Sequence, residues 1–151
     1  MSDSVFNTIK ERRTIFRFED KPVDDEELQK ILDAGRWAPS WSNSQPWRFV
    51  IIKDQDTRNQ LADVVSTIFT TAIREAPVSI LVCVDPEEDP HHYIEDGAAV
   101  TQNMALMAKG LDLGSTWIGV FGGEEEKGST EAKVKEILDL SGNMRIISLL
   151  A

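Results

Sequence analysis

The sequence predicts a sandwich in which helices cover a β-sheet, of the α+β or α/β class, and three observations carry that prediction. Segments of helical period alternate along the chain with short runs rich in β-branched residues. One of these runs, Pro77 to Val84, is almost continuously apolar, as expected of a strand covered on both faces. The helical stretch from Ile94 to Leu111 is dense in small residues (Gly97, Ala98, Ala99, Ala105 and Ala108), which suits a central helix approached closely by a neighbour. A chain of 151 residues is the size of one domain, spanning 1–151, and its 41% hydrophobic and 28% charged residues are those of a globular protein. No repeat or low-complexity linker divides it.

The elements follow in order. A first helix is expected over Val5 to Arg12, with Phe6 and Ile9 on one side. Asp24 opens a second, because Asp24-Asp25-Glu26-Glu27 supplies an N-cap and an acidic first turn ahead of Leu28, Ile31 and Leu32; it must stop before Pro39. Arg48 to Ile52 reads as a strand, Thr57 to Glu75 as one helix, and Pro77 to Val84 as the buried strand. After the small-residue helix, Ser115 to Phe121 makes a third strand, Thr130 caps a short helix carrying Val134, Ile137 and Leu138, and Met144 to Leu150 makes a fourth strand. The sequence stops at Leu149-Leu150-Ala151 inside an apolar strand. Either that strand is terminal and covered by a neighbour, or a C-terminal segment is missing.

Charge and composition remove several functions. Lys+Arg 16 against Asp+Glu 26 leaves a net charge of -10, and no basic residue occurs between Arg74 and Lys109. Such a surface repels phosphate backbones and anionic lipid, so neither nucleic acid nor membrane is an expected partner. No apolar run reaches the ~20 residues of a bilayer span, and the N-terminus lacks a signal-peptide pattern, so a cytoplasmic location is expected. The lone Cys83 lies within an apolar strand pattern, which reads as a buried thiol. With His91-His92 as the only histidines, adjacent in an acidic loop, no metal site and no hydrolytic triad is expected.

Three segments stand out chemically. Arg12-Arg13-Thr14 closes the first helix; an arginine pair followed by a hydroxyl can cradle a phosphate, or its charge can simply complement the helix dipole. Trp37 to Trp47 holds three of four tryptophans, with Ser40, Asn43 and Gln45 between them, so it offers flat apolar surface and fixed polar groups to a planar ligand. Read structurally instead, Trp37 and Trp47 would plug the core. Gly114 to Gly123 places glycines where a strand ends, and Gly119 inside it suggests close approach of a backbone or ligand. Neither a Rossmann glycine pattern nor a P-loop is present.

Taken in order, these segments resemble the nitroreductase family of FMN-dependent oxidoreductases. The match runs through Arg12-Arg13-Thr14, Lys21-Pro22-Val23, Ala38 to Trp47, Ala76-Pro77-Val78, Asp96 to Asn103, Gly110 to Gly114 and Trp117-Ile118-Gly119. The resemblance implies an α+β three-layer sandwich with a mainly antiparallel central sheet, forming an intertwined homodimer with FMN at the subunit interface. It assigns Arg12, Arg13 and Thr14 to the FMN phosphate and ribityl chain. Pro39, Ser40, Trp41 and Asn43 would reach the flavin from the partner subunit, and the backbone of Ile118 and Gly119 would lie near the N5/O4 edge of its ring. Gln45 would brace the loop. Hydride would pass from NADH or NADPH through FMN to an electron-poor small molecule such as a nitroaromatic, quinone or enone. That step needs no side-chain acid or base, so no catalytic side chain is assigned. The sequence departs from the family at Phe16, where a basic residue is common, leaving Arg17 and Arg48 as substitutes near the ring. Two rivals to this reading are a relative of the flavin-destructase or dehalogenase kind and a flavin-binding protein without turnover.

Overall fold

Six consecutive buried residues, Ser79–Val84, form the strand that organises the molecule, and the elements around it were obtained from a computed structural model describing residues 2–65, 68–122, 127–140 and 142–151. In chain order these are α1 (Ser2–Glu11), α2 (Asp25–Arg36), a 3-10 turn (Trp41–Asn43), β1 (Trp47–Ile52), α3 (Gln55–Val64), α4 (Thr70–Glu75), β2 (Ser79–Val84), α5 (Tyr93–Gly110), β3 (Trp117–Gly119), α6 (Thr130–Ile137) and β4 (Arg145–Leu150). The strands form one antiparallel sheet in the order β1-β2-β4-β3. The fold is α+β.

Strand alternation sends side chains to opposite faces, and two cores result. Ile80, Val82 and Val84 meet Leu28, Ile31 and Leu32 of α2 and Val100, Met104 and Ala108 of α5. On the other face, Leu81 and Cys83 meet Leu61 of α3, Ile73 of α4 and Val134 of α6. The sheet is thus the middle layer of three. Burial pushes the Cys83 thiol up to about 12, so it is a packing group.

The small residues of α5 act where the sheet is irregular. The β2–β4 register jumps between Val82 and Cys83, so that β4 carries Ile147 as an extra residue. A Cβ on Gly97 would lie 2.5 Å from Cγ1 of Ile147, whose branched side chain cannot swing away, so α5 seats here only through glycine. One turn later Thr101 Oγ1 hydrogen-bonds Ser148 Oγ at 2.8 Å, both buried. A second internal tie joins α6 to β4. The Glu131 carboxylate, 1% exposed, accepts from Arg145 Nε at 3.0 Å, from Arg145 Nη2 at 2.9 Å and from the Ile146 backbone N–H at 2.7 Å.

The structure corrects some boundaries. The helix expected over Thr57 to Glu75 is two: α3 ends at Val64 and α4 starts at Thr70, because β-branched Val64, Val65 and Ile68 hold helical backbone poorly and Val65 turns into the core. Ser129, not Thr130, caps α6, its hydroxyl accepting from the Ala132 N–H at 3.1 Å. The third strand is short, Trp117–Gly119, and Trp47 joins β1. Among the described residues no helix is long and apolar enough to cross a membrane.

Candidate functional site

The basic pair sits at the junction of α1 and the sheet. Arg13 turns back, its Nη1 donating to the carbonyls of Lys10 at 2.5 Å and Arg12 at 2.9 Å, and so serves the exposed C-terminal end of α1. The Arg12 guanidinium has no hydrogen-bond or ion-pair partner among the described residues. Thr14, exposed, bridges Ser115 in parallel, the Ile15 N–H donates to the Ser115 carbonyl at 3.1 Å, and Thr116 Oγ1 donates to the Ile15 carbonyl. These bonds tie Arg12-Arg13-Thr14 to the segment that enters β3, so two of the three predicted sets lie along one seam.

Along β3 the side chain of Ile118 is buried in the α3/α4/α6 core, which leaves only its backbone for a ligand. Gly119 is exposed, and a Cβ built there would meet no atom within 4 Å. Among the described residues, chain neighbours aside, none fills that space. Gly123, at the end of the glycine segment, lies outside the described residues.

The tryptophan loop behaves differently from its core-plugging reading. Trp47 is buried, but Trp37 is 87% exposed. It stands at the end of α2, beside an apolar groove of about 600 Å³ between α1, α2 and α5 that Val5, Ile9, Leu106 and Met107 also line. Between the two tryptophans the backbone is left-handed at three non-glycine residues, Ser42 (φ 49°), Asn43 (φ 56°) and Gln45 (φ 51°). Such residues cost on the order of 1 kcal/mol each and persist where the surroundings over-determine them. Here Ser40 Oγ accepts from the Gln45 N–H at 3.0 Å, Gln45 Nε2 donates to Asn43 Oδ1 at 3.0 Å, and both Asp96 oxygens accept from the Trp41 N–H, at 3.1 and 3.2 Å. Gln45 therefore braces the loop. Pro39, Trp41 and Asn43 remain exposed and Ser40 half-buried.

Asp96 was given no role by sequence reasoning, which named it only as the first residue of the matching segment Asp96 to Asn103. Its place was legible in the spacing: Asp96, Val100, Met104 and Ala108 recur every four residues and all are buried, so the carboxyl falls on the inner stripe of α5. Beside it Asp89 is fully buried.

The positive charges expected to replace a basic residue at position 16 are taken. Arg17 pairs with Glu75 at 2.8 Å and Arg48 with Glu88 at 2.7 Å, while Phe16 stacks on Phe69 with ring centroids 5.6 Å apart. Another cavity, of about 560 Å³ and bounded by Pro22, Val23, Leu28, Leu111 and Ala151, is lined by Arg17 but by none of the residues assigned to FMN. Among the described residues no hydrogen bond or ion pair joins residues 39–43 to residues 12–14 or 118–119, so within one chain the loop and the seam remain separate.

Comparison with known proteins places this geometry. Residues 9–76 and 67–151 match the family described as "Nitroreductase family". The chain is 32% identical over 143 residues to the Archaeoglobus fulgidus protein named "Putative NADH dehydrogenase/NAD(P)H nitroreductase", covering 93% of this chain and 79% of that one. The match to the protein of the same name from Methanothermobacter thermautotrophicus, 34% identical, covers 78% of this chain and 61% of that one. Among solved structures, an FMN-dependent nitroreductase from Clostridium difficile superposes with a TM-score of 0.88 at 26% identity, over 97% of this chain and 84% of the other. The Desulfovibrio desulfuricans structure named "a putative nitroreductase in complex with fmn" gives 0.81 at 32% identity, over 97% and 83%.

Proposed function

Because the chain belongs to the nitroreductase family, we propose that it is an NAD(P)H-dependent FMN oxidoreductase, acting as a homodimer on an electron-poor small molecule such as a nitroaromatic, quinone or enone. One observation carries the reading. Among the described residues Arg12 is an unpaired cation, while Arg13, Arg17 and Arg48 are engaged, and it stands on the seam that leads to the open space over Gly119. The FMN bound to the Desulfovibrio desulfuricans relative and the nicotinamide named for the Archaeoglobus fulgidus one support the cofactor and the electron donor.

The residues present fit FMN. Arg12 offers the charge-assisted contact that a phosphate dianion needs on a protein of net charge -10, with the exposed Thr14 hydroxyl beside it and Arg13 within reach if it leaves the α1 carbonyls. Ile118 and Gly119 offer backbone to the ring edge, and Gly119 keeps the approach clear. When bound, FMN supplies hydride transfer, and the chain's own task is to hold and orient it and to shape the space above it.

The loop of residues 39–43 makes no bond to the seam in its own chain, and this agrees with its meeting a flavin held by a second copy. Val5, Ile9 and Trp37 expose apolar surface around the α1/α2/α5 groove that a second copy would cover. An obligate interface of this kind exceeds ~2,000 Å². Sedimentation at micromolar concentration should therefore give a dimer; a monomer that still holds FMN would refute the homodimer.

The decisive experiment is anaerobic reduction. Protein reconstituted with FMN should be yellow and should bleach on addition of NADH or NADPH. Protein that stays colourless with excess FMN removes the reading, and protein that binds FMN without bleaching leaves a flavin-binding protein without turnover. A Gly119→Val variant should lose flavin occupancy while its melting temperature stays within a degree or so, because the position is exposed and an added Cβ meets no described atom beyond its chain neighbours. Unchanged flavin content in that variant would place the ring elsewhere.

A further inference from the structure

Beneath the tryptophan loop lie two carboxyl groups that no described ion pair neutralises. Asp96, 5% exposed, grips the Trp41 N–H with both oxygens. Asp89, 0% exposed, accepts the backbone N–H groups of His91 at 3.1 Å and His92 at 3.0 Å on Oδ1, and its Oδ2 has no partner. The two meet at His92, whose N–H donates to Asp89 Oδ1 and whose carbonyl accepts the Asp96 N–H at 3.0 Å, and each carboxyl acts on the other. As two carboxylates they have no proton to share, and a buried acceptor is left unpaired beside a like charge. Both are costly arrangements. A single proton on Asp96 removes both, because its hydroxyl can donate to Asp89 Oδ2 while its other oxygen keeps the Trp41 N–H.

We infer that Asp96 is a positioning residue for the Trp41 segment and that it holds the segment as a neutral acid, hydrogen-bonded to an ionised Asp89. Burial lifts Asp96 above the usual carboxylate range, and Asp89 lifts it further, against the Trp41 N–H. Burial also works to raise Asp89, but the His92 and His91 N–H groups, Asp96 and the His92 ring together hold it below that range. The surrounding ionisable groups are few. His92 Nδ1 faces the Glu95 carboxylate at 3.7 Å, and the His91 and His92 rings lie 6.1 and 5.6 Å from the Trp41 ring, centroid to centroid. Asp85, in the turn before Asp89, is spent on the Glu87 N–H, and residues 37–47 carry no ionisable side chain.

The sign follows from linkage. A carboxyl raised in the folded state contributes stability below the ordinary carboxylate range and loses it as pH rises through its folded value. Asp89, lowered, behaves oppositely and weakens only at the acid end. The grip on Trp41 should therefore loosen as Asp96 ionises. That this tunes the flavin site rests on the function proposed above; the grip itself does not.

The test uses the whole protein and three measurements: carboxyl ¹³C titration, hydrogen-exchange protection of the Trp41 amide from the ordinary carboxylate range upward, and FMN affinity by fluorescence quenching. Asp96→Asn copies the neutral acid, since its amide donates to Asp89 and its carbonyl accepts from Trp41. It should keep wild-type protection at low pH and hold it as pH rises, where wild type declines. Asp96→Ala should lose roughly tenfold in protection at every pH, the worth of one hydrogen bond. His92→Gln and Glu95→Gln should retain the wild-type slope. The inference is overturned if Asp96 titrates at or below the ordinary range, if Asp96→Asn behaves like Asp96→Ala, or if the slope follows His92 or Glu95 instead. If the exchange results hold and FMN does not bind, the flavin reading falls and the role of Asp96 stands.

Discussion

An Arg12→Ala variant is expected to bind FMN about one to two orders of magnitude more weakly than wild type and to bind riboflavin equally well. The argument is electrostatic. FMN brings a phosphate dianion to a protein of net charge -10, so general attraction cannot hold it and a local cation must. Among the arginines near the seam, Arg13 serves the carbonyls of Lys10 and Arg12, and Arg17 is claimed by Glu75, which leaves Arg12 unpaired. A charge-assisted contact of this kind contributes about 1.5–3 kcal/mol, and ~1.4 kcal/mol is tenfold in affinity. Arg13→Ala should cost less at the phosphate, because its guanidinium must first leave the helix end. Riboflavin lacks the phosphate and separates binding from folding. Equal losses for both ligands in an Arg12→Ala/Arg13→Ala double variant would mean that the arginines support the fold and that the phosphate lies elsewhere.

The second large effect is expected in the fold. Glu131→Ala should destabilise the protein by about 3–5 kcal/mol, read as a lowered midpoint in urea, because it takes the buried acceptor from the Ile146 N–H and removes both carboxylate bonds to the partly buried Arg145 guanidinium at once. Against a typical total of about 5–15 kcal/mol, that is enough to bring the chain close to unfolding. Glu131→Gln keeps an acceptor for Ile146 and should cost less. A shift below about 1 kcal/mol for the alanine variant would show that water replaces the carboxylate, and that the tie between α6 and β4 is dispensable.

How far the sequence foretold this depends on what kind of signal each residue carries. Strand β2 was legible because five apolar residues in a row, Ile80 to Val84, have few other uses, and α5 because its small residues marked a close approach that Gly97 makes against Ile147. Trp37 was misread. A side chain facing a core and one facing a second molecule have the same composition, and only the coordinates set it 87% exposed. The break between α3 and α4 was missed because no glycine or proline marks it. Within the candidate site, Arg12 and Gly119 were singled out by residue type and position, but Arg13's turn back to Lys10 is a local choice of rotamer that composition does not mark, and the capture of Arg17 and Arg48 by Glu75 and Glu88 depends on contacts distant in sequence. Asp96 was hidden in a run of acids, although its four-residue spacing to Val100 and Met104 placed it on the inner face.

The strand order has a consequence for how the chain acquires this structure. Strand β2 is flanked by β1, already made when it emerges, and by β4, which follows only after α5, β3 and α6 have been synthesised. Until residues 145–150 arrive, one edge of β2 stays unpaired, β3 has no strand to join, and Ile146, Ile147, Leu149 and Leu150 are missing from both cores at once. Loop closure over so long a separation must precede the contacts that reward it, which makes formation of the sheet a slow, late event. During translation the nascent chain therefore carries an open edge on an almost wholly apolar strand, the kind of surface that pairs with other chains and that chaperones cover.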